Sequence, residues 1–365
     1  MVDSTKQKEL EEMKRLEKEE EERKKAEERA RKEEEERLRA LAEEREKKSK
    51  IIIDVHTRIT EAQQAFASKK EQRAANLNAA TTRLDVNLKA LDASIKKNEA
   101  QIKKLKMMSA DKEKEVLKGI KEINMSKFIS ECVDALAEAK LKTSDVPAMV
   151  NVVSAMHQRY AEVVKLLIPK LANVFTKMSA DAQTAESESD RKERLSRRRV
   201  ALRLLSELLV AGVYTDGSVL ITALRDLIEQ ESKAIFSDAR TMLFTIVAGF
   251  VKYAGDDVLD LPPQWKIDAE ALLAGLHARR ARKEAAAGTA GAPQDTEAQV
   301  AVQDAETADS AAAELAQEDA EDSANDALLE ALERDFLSFD PHLSPPVMTS
   351  EQVLSLLALL VHKYK

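Results

Sequence analysis

No glycine occurs before Gly119 and no proline before Pro147, so the first third of this 365-residue chain lacks the residues that most readily break a helix or turn a strand. Sheets need such turns every roughly 8–12 residues and favour aromatic and β-branched side chains. Aromatic residues make up only 4% here. The chain is therefore expected to be all-α.

Residues 6–50 are blocks of Glu, Lys and Arg such as EEEERKKAEERARKEEEERLR. Glu precedes a basic residue by four at Glu20 and Lys24, Glu21 and Lys25, Glu27 and Arg31, Glu28 and Lys32, and Glu33 and Arg37, the orientation that supports a helix. After Leu10, Met13 and Leu16 no apolar residue larger than Ala occurs until Leu38, so a coiled coil has no seam. Residues 1–50 read as a solvated, partly frayed single helix. Over 51–122, Leu84, Leu88, Leu91, Ile95, Ile102 and Leu105 follow spacings of four and three if Asn98 fills the missing place. That pattern suits a short coiled coil, or, the favoured reading, a long helix packed on the array that follows.

From 123 to 283 amphipathic runs alternate with short breaks. Ile129, Cys132, Val133 and Leu136 share one helical face. SDVP opens another helix, with Ser144 as candidate N-cap and Pro147 in the first turn, and a third runs across Pro169. Further helices are expected at 200–213, 219–228, 239–253 and 265–276, punctuated by GVYTDG and YAGDD. Such lengths and breaks predict stacked helical hairpins, a degenerate HEAT-like array. Residues 179–196 read as a mobile polar insertion, and 284–325, nearly devoid of large apolar side chains, as a disordered acidic linker. Over 326–365 short helices are expected, the last opened by a Thr349 to Gln352 capping box; its apolar face, with nothing after it, suggests the start of a truncated next domain.

Charge is unevenly spread. Residues 284–335 hold 15 acidic residues against Arg334, a balance of −14 inside a total of −8, so the other 313 residues carry +6. The acidic total therefore says little about what the body binds. Two basic clusters stand out: Lys96, Lys97, Lys103 and Lys104, paired at spacings of seven, and Arg197, Arg198, Arg199 and Arg203. Each is either a solvated face or a contact for RNA phosphates or an acidic partner. No aromatic residues are interleaved, so single-strand stacking is not indicated.

Little else suggests chemistry. The five histidines are scattered, and no zinc, phosphate-loop or nucleophile-elbow motif occurs, so neither metal nor cofactor nor enzymatic activity is expected. Cys132 reads as a core residue, and Asp256 and Asp257 as turn and cap residues after Gly255. The charged first 50 residues do not suit a secretory signal, and no run of about 18 apolar residues exists to span a membrane. The expected location is the cytoplasm, including its perinuclear part.

The ordered segments ASIKKNEAQIKKLK, INMSKFISECVDALAEAKLKTSDV, MHQRYAEVVKLLIP, LRLLSELLVAGVYTDGSVL and YAGDDVLDLPP resemble the regulator of nonsense transcripts 2 family, over about residues 85–265. These are the up-frameshift scaffolds of nonsense-mediated mRNA decay. The matching part is the first middle domain of initiation factor 4G type, a HEAT-like helical array. The resemblance implies a non-enzymatic scaffold that helps link the surveillance helicase to exon-junction components on mRNA. It also implies that the segments binding those two partners lie outside these 365 residues. The alternatives are a translation-initiation or splicing factor with a similar middle domain, or a structural coiled-coil protein.

Overall fold

A computed structural model describes residues 2–176, 178, 186–232, 237–289, 325–343 and 346–362. All the longer elements among them are helices: α1 (Val2–Leu77), α2 (Ala79–Asp85), α3 (Ile95–Lys106), α4 (Glu113–Glu122), α5 (Ile129–Glu138), α6 (Val146–His157), α7 (Glu162–Ala172), α8 (Glu188–Val210), α9 (Ser218–Ser232), α10 (Ser237–Leu259), α11 (Gln264–Thr289), α12 (325–338) and α13 (Ser350–His362). Strand-like pairing among the described residues is confined to an isolated bridge between Asp92 and Ile123. The acidic linker expected at 284–325 falls mostly outside the described residues, and its first six positions belong to α11. The chain divides into two compact units, one of Met1–Thr60 with Trp265–Phe339, the other of Glu61–Gln264 with Asp340–Lys365.

Among the described residues the second unit is a HEAT-like array of four hairpins. Helices α3, α5 and α7 pack in succession along one layer, and α4, α6, α8 and α10 along the other, with α9 against α10. Large aliphatic side chains, among them Leu105, Ile120, Met149, Leu167, Leu205 and Leu224, form one continuous core with Cys132, which is fully buried as expected. Helix α13 carries the expected capping box, Thr349 N–H donating to Gln352 Oε1 at 3.0 Å and Gln352 N–H to Thr349 Oγ1 at 3.3 Å. It packs on α9 and α10 with Leu356 fully buried, so its apolar face finds its cover inside the chain.

Several expected details are corrected. Residues 51–122 do not continue as one helix, because the chain extends at Val86 and Leu91 and its backbone bonds turn to the end of α4: Asp92 N–H donates to Glu122 O at 3.2 Å and Asn124 N–H to Asp92 O at 2.8 Å. The polar stretch at 179–196 is in its second part the opening of α8; residues 179–185 lie outside the described residues. Ser187 Oγ accepts the Asp190 N–H at 3.2 Å, and the nearly buried Glu186 carboxylate holds Arg194 at 2.7 Å and Arg191 at 3.6 Å, which anchors this charged turn. The turn before α6 uses Asp145 rather than Ser144, its carboxylate accepting from Lys142 N–H at 3.0 Å and Ala110 N–H at 3.1 Å. Asp256 and Asp257 lie inside α10, which runs on to Leu259 and stops at Asp260, φ 55°.

In the first unit, α1 up to Thr60, α11 and α12 share a small core of Ile52, Val55, Ile59, Leu273, Leu276 and Leu332. Polar pairs border it: His56 with Asp335 and His277 with Glu333, each at 2.6 Å, and Arg58 with Asp268 at 2.8 Å. Toward its N-terminus α1 is exposed over 18–40, with the expected ladder in place at Glu20 to Lys24 (3.0 Å), Glu21 to Lys25 (2.7 Å) and Glu28 to Lys32 (2.8 Å). A stretch with almost no large apolar residues stays helical through such rungs and its own backbone bonds.

Candidate binding surfaces

Helix α3 opens after an Asx turn in which Ser94 N–H donates to Asp92 Oδ1 at 2.8 Å. Asn98, Gln101 and Leu105 are the buried side, and the seam position assigned to Asn98 is thus a true core position. Two turns separate Lys96 from Lys103, and both are exposed with no ion pair among the described residues. Their neighbours are engaged: Lys97 holds Asp92 at 2.6 Å and Lys104 holds Glu115 at 2.8 Å. The Lys97 hydrogen bond, with those from Ser94, pulls the Asp92 carboxyl down to about 2. Two of the four lysines therefore remain for an external anion.

The arginines of α8 divide more sharply. Consecutive helical residues point about 100° apart, so three in a row cannot share a surface. Arg198 points inward, 1% exposed, and donates from Nε to Val174 O at 3.0 Å and from Nη2 to Thr176 O at 3.3 Å. It braces the turn after α7 and cannot meet a phosphate outside, which removes it from the expected contact set. Arg203 is held by Glu207 at 2.6 Å and by the Thr143 carbonyl at 2.9 Å, and its guanidinium lies 4.1 Å from the Tyr253 ring centroid. Arg197 and Arg199 are exposed, on different sides of the helix. The two clusters belong to different places in the array, since α3 packs on α4 and α5 while α8 packs on α6, α7 and α10.

A buried polar seam escaped the sequence reading. Lys69, Gln72, Arg73 and Asn76 form an i, i+3, i+4, i+7 stripe at the end of α1, a spacing looked for only in apolar residues. Arg73 Nη1 donates to the last carbonyls of α8, Leu209 O and Val210 O, at 2.9 Å each, and Asn76 Nδ2 donates to Ala211 O at 2.8 Å. These bonds reach carbonyls at a helix end, where intrahelical partners run out, and Leu209 O takes the Arg73 bond beside that from Gly212 N–H. Gln72 donates to Asn151 Oδ1 at 2.8 Å and Lys69 pairs with Asp257 at 2.6 Å, which gives that aspartate a structural role. Burial pushes the Asp257 carboxyl up, with Lys69 opposing.

Comparison with known proteins agrees with this architecture. The MIF4G domain profile matches residues 89–256. Over 206 residues the chain is 35% identical to Regulator of nonsense transcripts UPF2 of Arabidopsis thaliana, covering 56% of this chain and 17% of that protein. The corresponding figures for human Regulator of nonsense transcripts 2 are 33% over 206 residues, 56% and 15%, so the chain spans only about a sixth of these relatives. The crystal structure of the first MIF4G domain of the human nonsense mediated decay factor UPF2 superimposes with a TM-score of 0.51 at 30% identity, covering 62% of this chain and 69% of that one. With the helical array, the motif order and the sequence likeness falling on the same residues, this chain belongs to the MIF4G-domain family, among the UPF2-like regulators of nonsense transcripts.

Proposed function

We propose that the chain is a non-enzymatic, protein-binding scaffold of nonsense-mediated mRNA decay, helping to bring the surveillance helicase and exon-junction components together on mRNA in the cytoplasm. The supporting observation is its likeness in sequence and fold to the first MIF4G domain of UPF2. A HEAT-like array suits the role physically, because stacked hairpins hold long rigid faces in fixed register. The test is affinity capture with the whole chain after nuclease treatment. Recovery of decay factors is expected; recovery of initiation or splicing factors without them would favour the alternative reading.

Lys96, Lys103 and Arg199, exposed and without an ion pair among the described residues, favour direct phosphate contact as an accompanying property. Binding of single-stranded RNA should then be independent of sequence, its log affinity falling by about 0.7 per phosphate contact for each unit of log salt. Lys96→Glu with Lys103→Glu should weaken it and flatten the salt slope. An unchanged affinity would make these residues solvated faces only.

A further inference from the structure

A groove of about 400 Å³ opens between the end of α5, α7 and α8 in the array, within the roughly 300–1,000 Å³ range of formed binding pockets. Its floor is apolar: Leu136, Leu171 and Leu204, with Ala137, Ala139 and Ala201 where larger side chains would fill the space. One wall is the turn through Val174 whose carbonyls the buried Arg198 holds, so the groove is formed before anything enters it. A rigid wall lowers the ordering cost of binding.

The rim decides what fits. Glu138 is already paired with Lys106 at 2.9 Å, and Glu193 faces Lys140 at 4.0 Å. Arg197, exposed at the same rim, has no ion-pair partner among the described residues. An apolar trough whose carboxylates each face a lysine and whose guanidinium is open favours an apolar segment that also carries negative charge. We infer that the α5–α7–α8 groove is a docking site for an acidic, leucine-bearing amphipathic segment of a partner protein, with its apolar side chains on Leu136, Leu171 and Leu204 and a carboxylate on Arg197. The inference deepens the scaffold reading and rests on it: this groove is where the array takes hold of one partner.

The test uses the whole chain and a displayed library of random 12-residue peptides. Enrichment of acidic, leucine-bearing peptides is expected, and synthetic versions should bind at least tenfold more weakly to Arg197→Glu and to Ala137→Trp, which fills the trough. Arg197 is an exposed position, so its variant keeps the fold even if Ala137→Trp does not, and circular dichroism checks both. Changing the peptide's carboxylates to amides should cause a comparable loss. The inference is overturned if nothing is enriched, if the enriched peptides are basic, if neither variant weakens binding, or if oligouridine displaces the peptides and binds Arg197 in their place. Capture of decay factors together with a failed peptide arm would sink the groove and leave the scaffold reading standing. Peptide binding without captured decay factors would do the reverse.

Discussion

Replacing Gly212 with alanine should destabilise the array more than its small size suggests. The residue sits at φ 71° just past the end of α8, where its N–H donates to Leu209 O and that of Val213 to Leu208 O, both at 3.0 Å. This is the Schellman arrangement, which needs a left-handed residue at that place. Alanine there carries a backbone penalty of roughly 1–2 kcal/mol. Its Cβ would also lie 3.1 Å from Arg73 Cγ, 3.2 Å from Leu77 Cγ and 3.3 Å from the Arg73 carbonyl, so the docked end of α1 would have to move. Overpacking of that kind costs about 1–3 kcal/mol, giving about 2–5 kcal/mol in all. Gly249 is the control: in α10 an added Cβ meets nothing nearer than Tyr253 Cε2 at 4.0 Å, so Gly249→Ala should stabilise by ~0.4–1 kcal/mol. Asparagine tolerates left-handed backbone but still brings a Cβ, so Gly212→Asn should recover the backbone part and keep the steric part. Urea titrations followed by far-ultraviolet circular dichroism compare the three variants. If Gly212→Ala falls within ~0.5 kcal/mol of the parent, the left-handed turn at Gly212 is wrong; if only Gly212→Asn does, the close packing of Arg73 against this turn is wrong.

Further outcomes follow from individual side chains. Burial, and then the neighbouring Arg83 charge, hold the His157 imidazole below its ordinary 6.5, with a bond to the Asn76 carbonyl opposing. The unfolded chain takes up a proton that the folded one refuses, so stability is full above about pH 6.5 and declines as the pH falls from there through the depressed value. Thermal melts between pH 7.5 and 5 should show a loss that His157→Gln reduces; an equal loss in both proteins would assign it elsewhere. Arg198→Met should cost about 2–4 kcal/mol because two carbonyls lose a charged donor, whereas Arg197→Met should stay within ~0.5 kcal/mol. A similar change for both would contradict the inward and outward assignment. Burial, with a smaller push from Glu131, raises the Cys132 thiol to about 12, so a thiol reagent at pH 8 should react only on unfolding. Prompt reaction in the native protein would show that the α5 core opens.

The fold class was legible in the sequence because helical periodicity is local. The face of Ile129, Cys132, Val133 and Leu136, the capping box at Thr349 and the charge ladder of α1 each depend on residues within two turns of one another. The basic clusters were equally visible as strings of letters. Which of their members face solvent was not, because adjacency in sequence says nothing about what stands opposite: Arg198 became a brace for Val174 and Thr176 while Arg197 stayed open at a groove.

The spacing of apolar residues is enough to set the helices and the kind of array they make, since it fixes which face each helix must bury. Tertiary structure alone decided where polar groups are spent. Arg73 and Asn76 end their reach at carbonyls about 135 positions along the chain, and α13 finds its cover on α9 and α10. The extended segment through Asp92 takes its bonds from the end of α4. Such pairings form because a buried donor or carbonyl must be satisfied by whatever packing brings near, and that neighbour is set by the stacking of hairpins far apart in sequence.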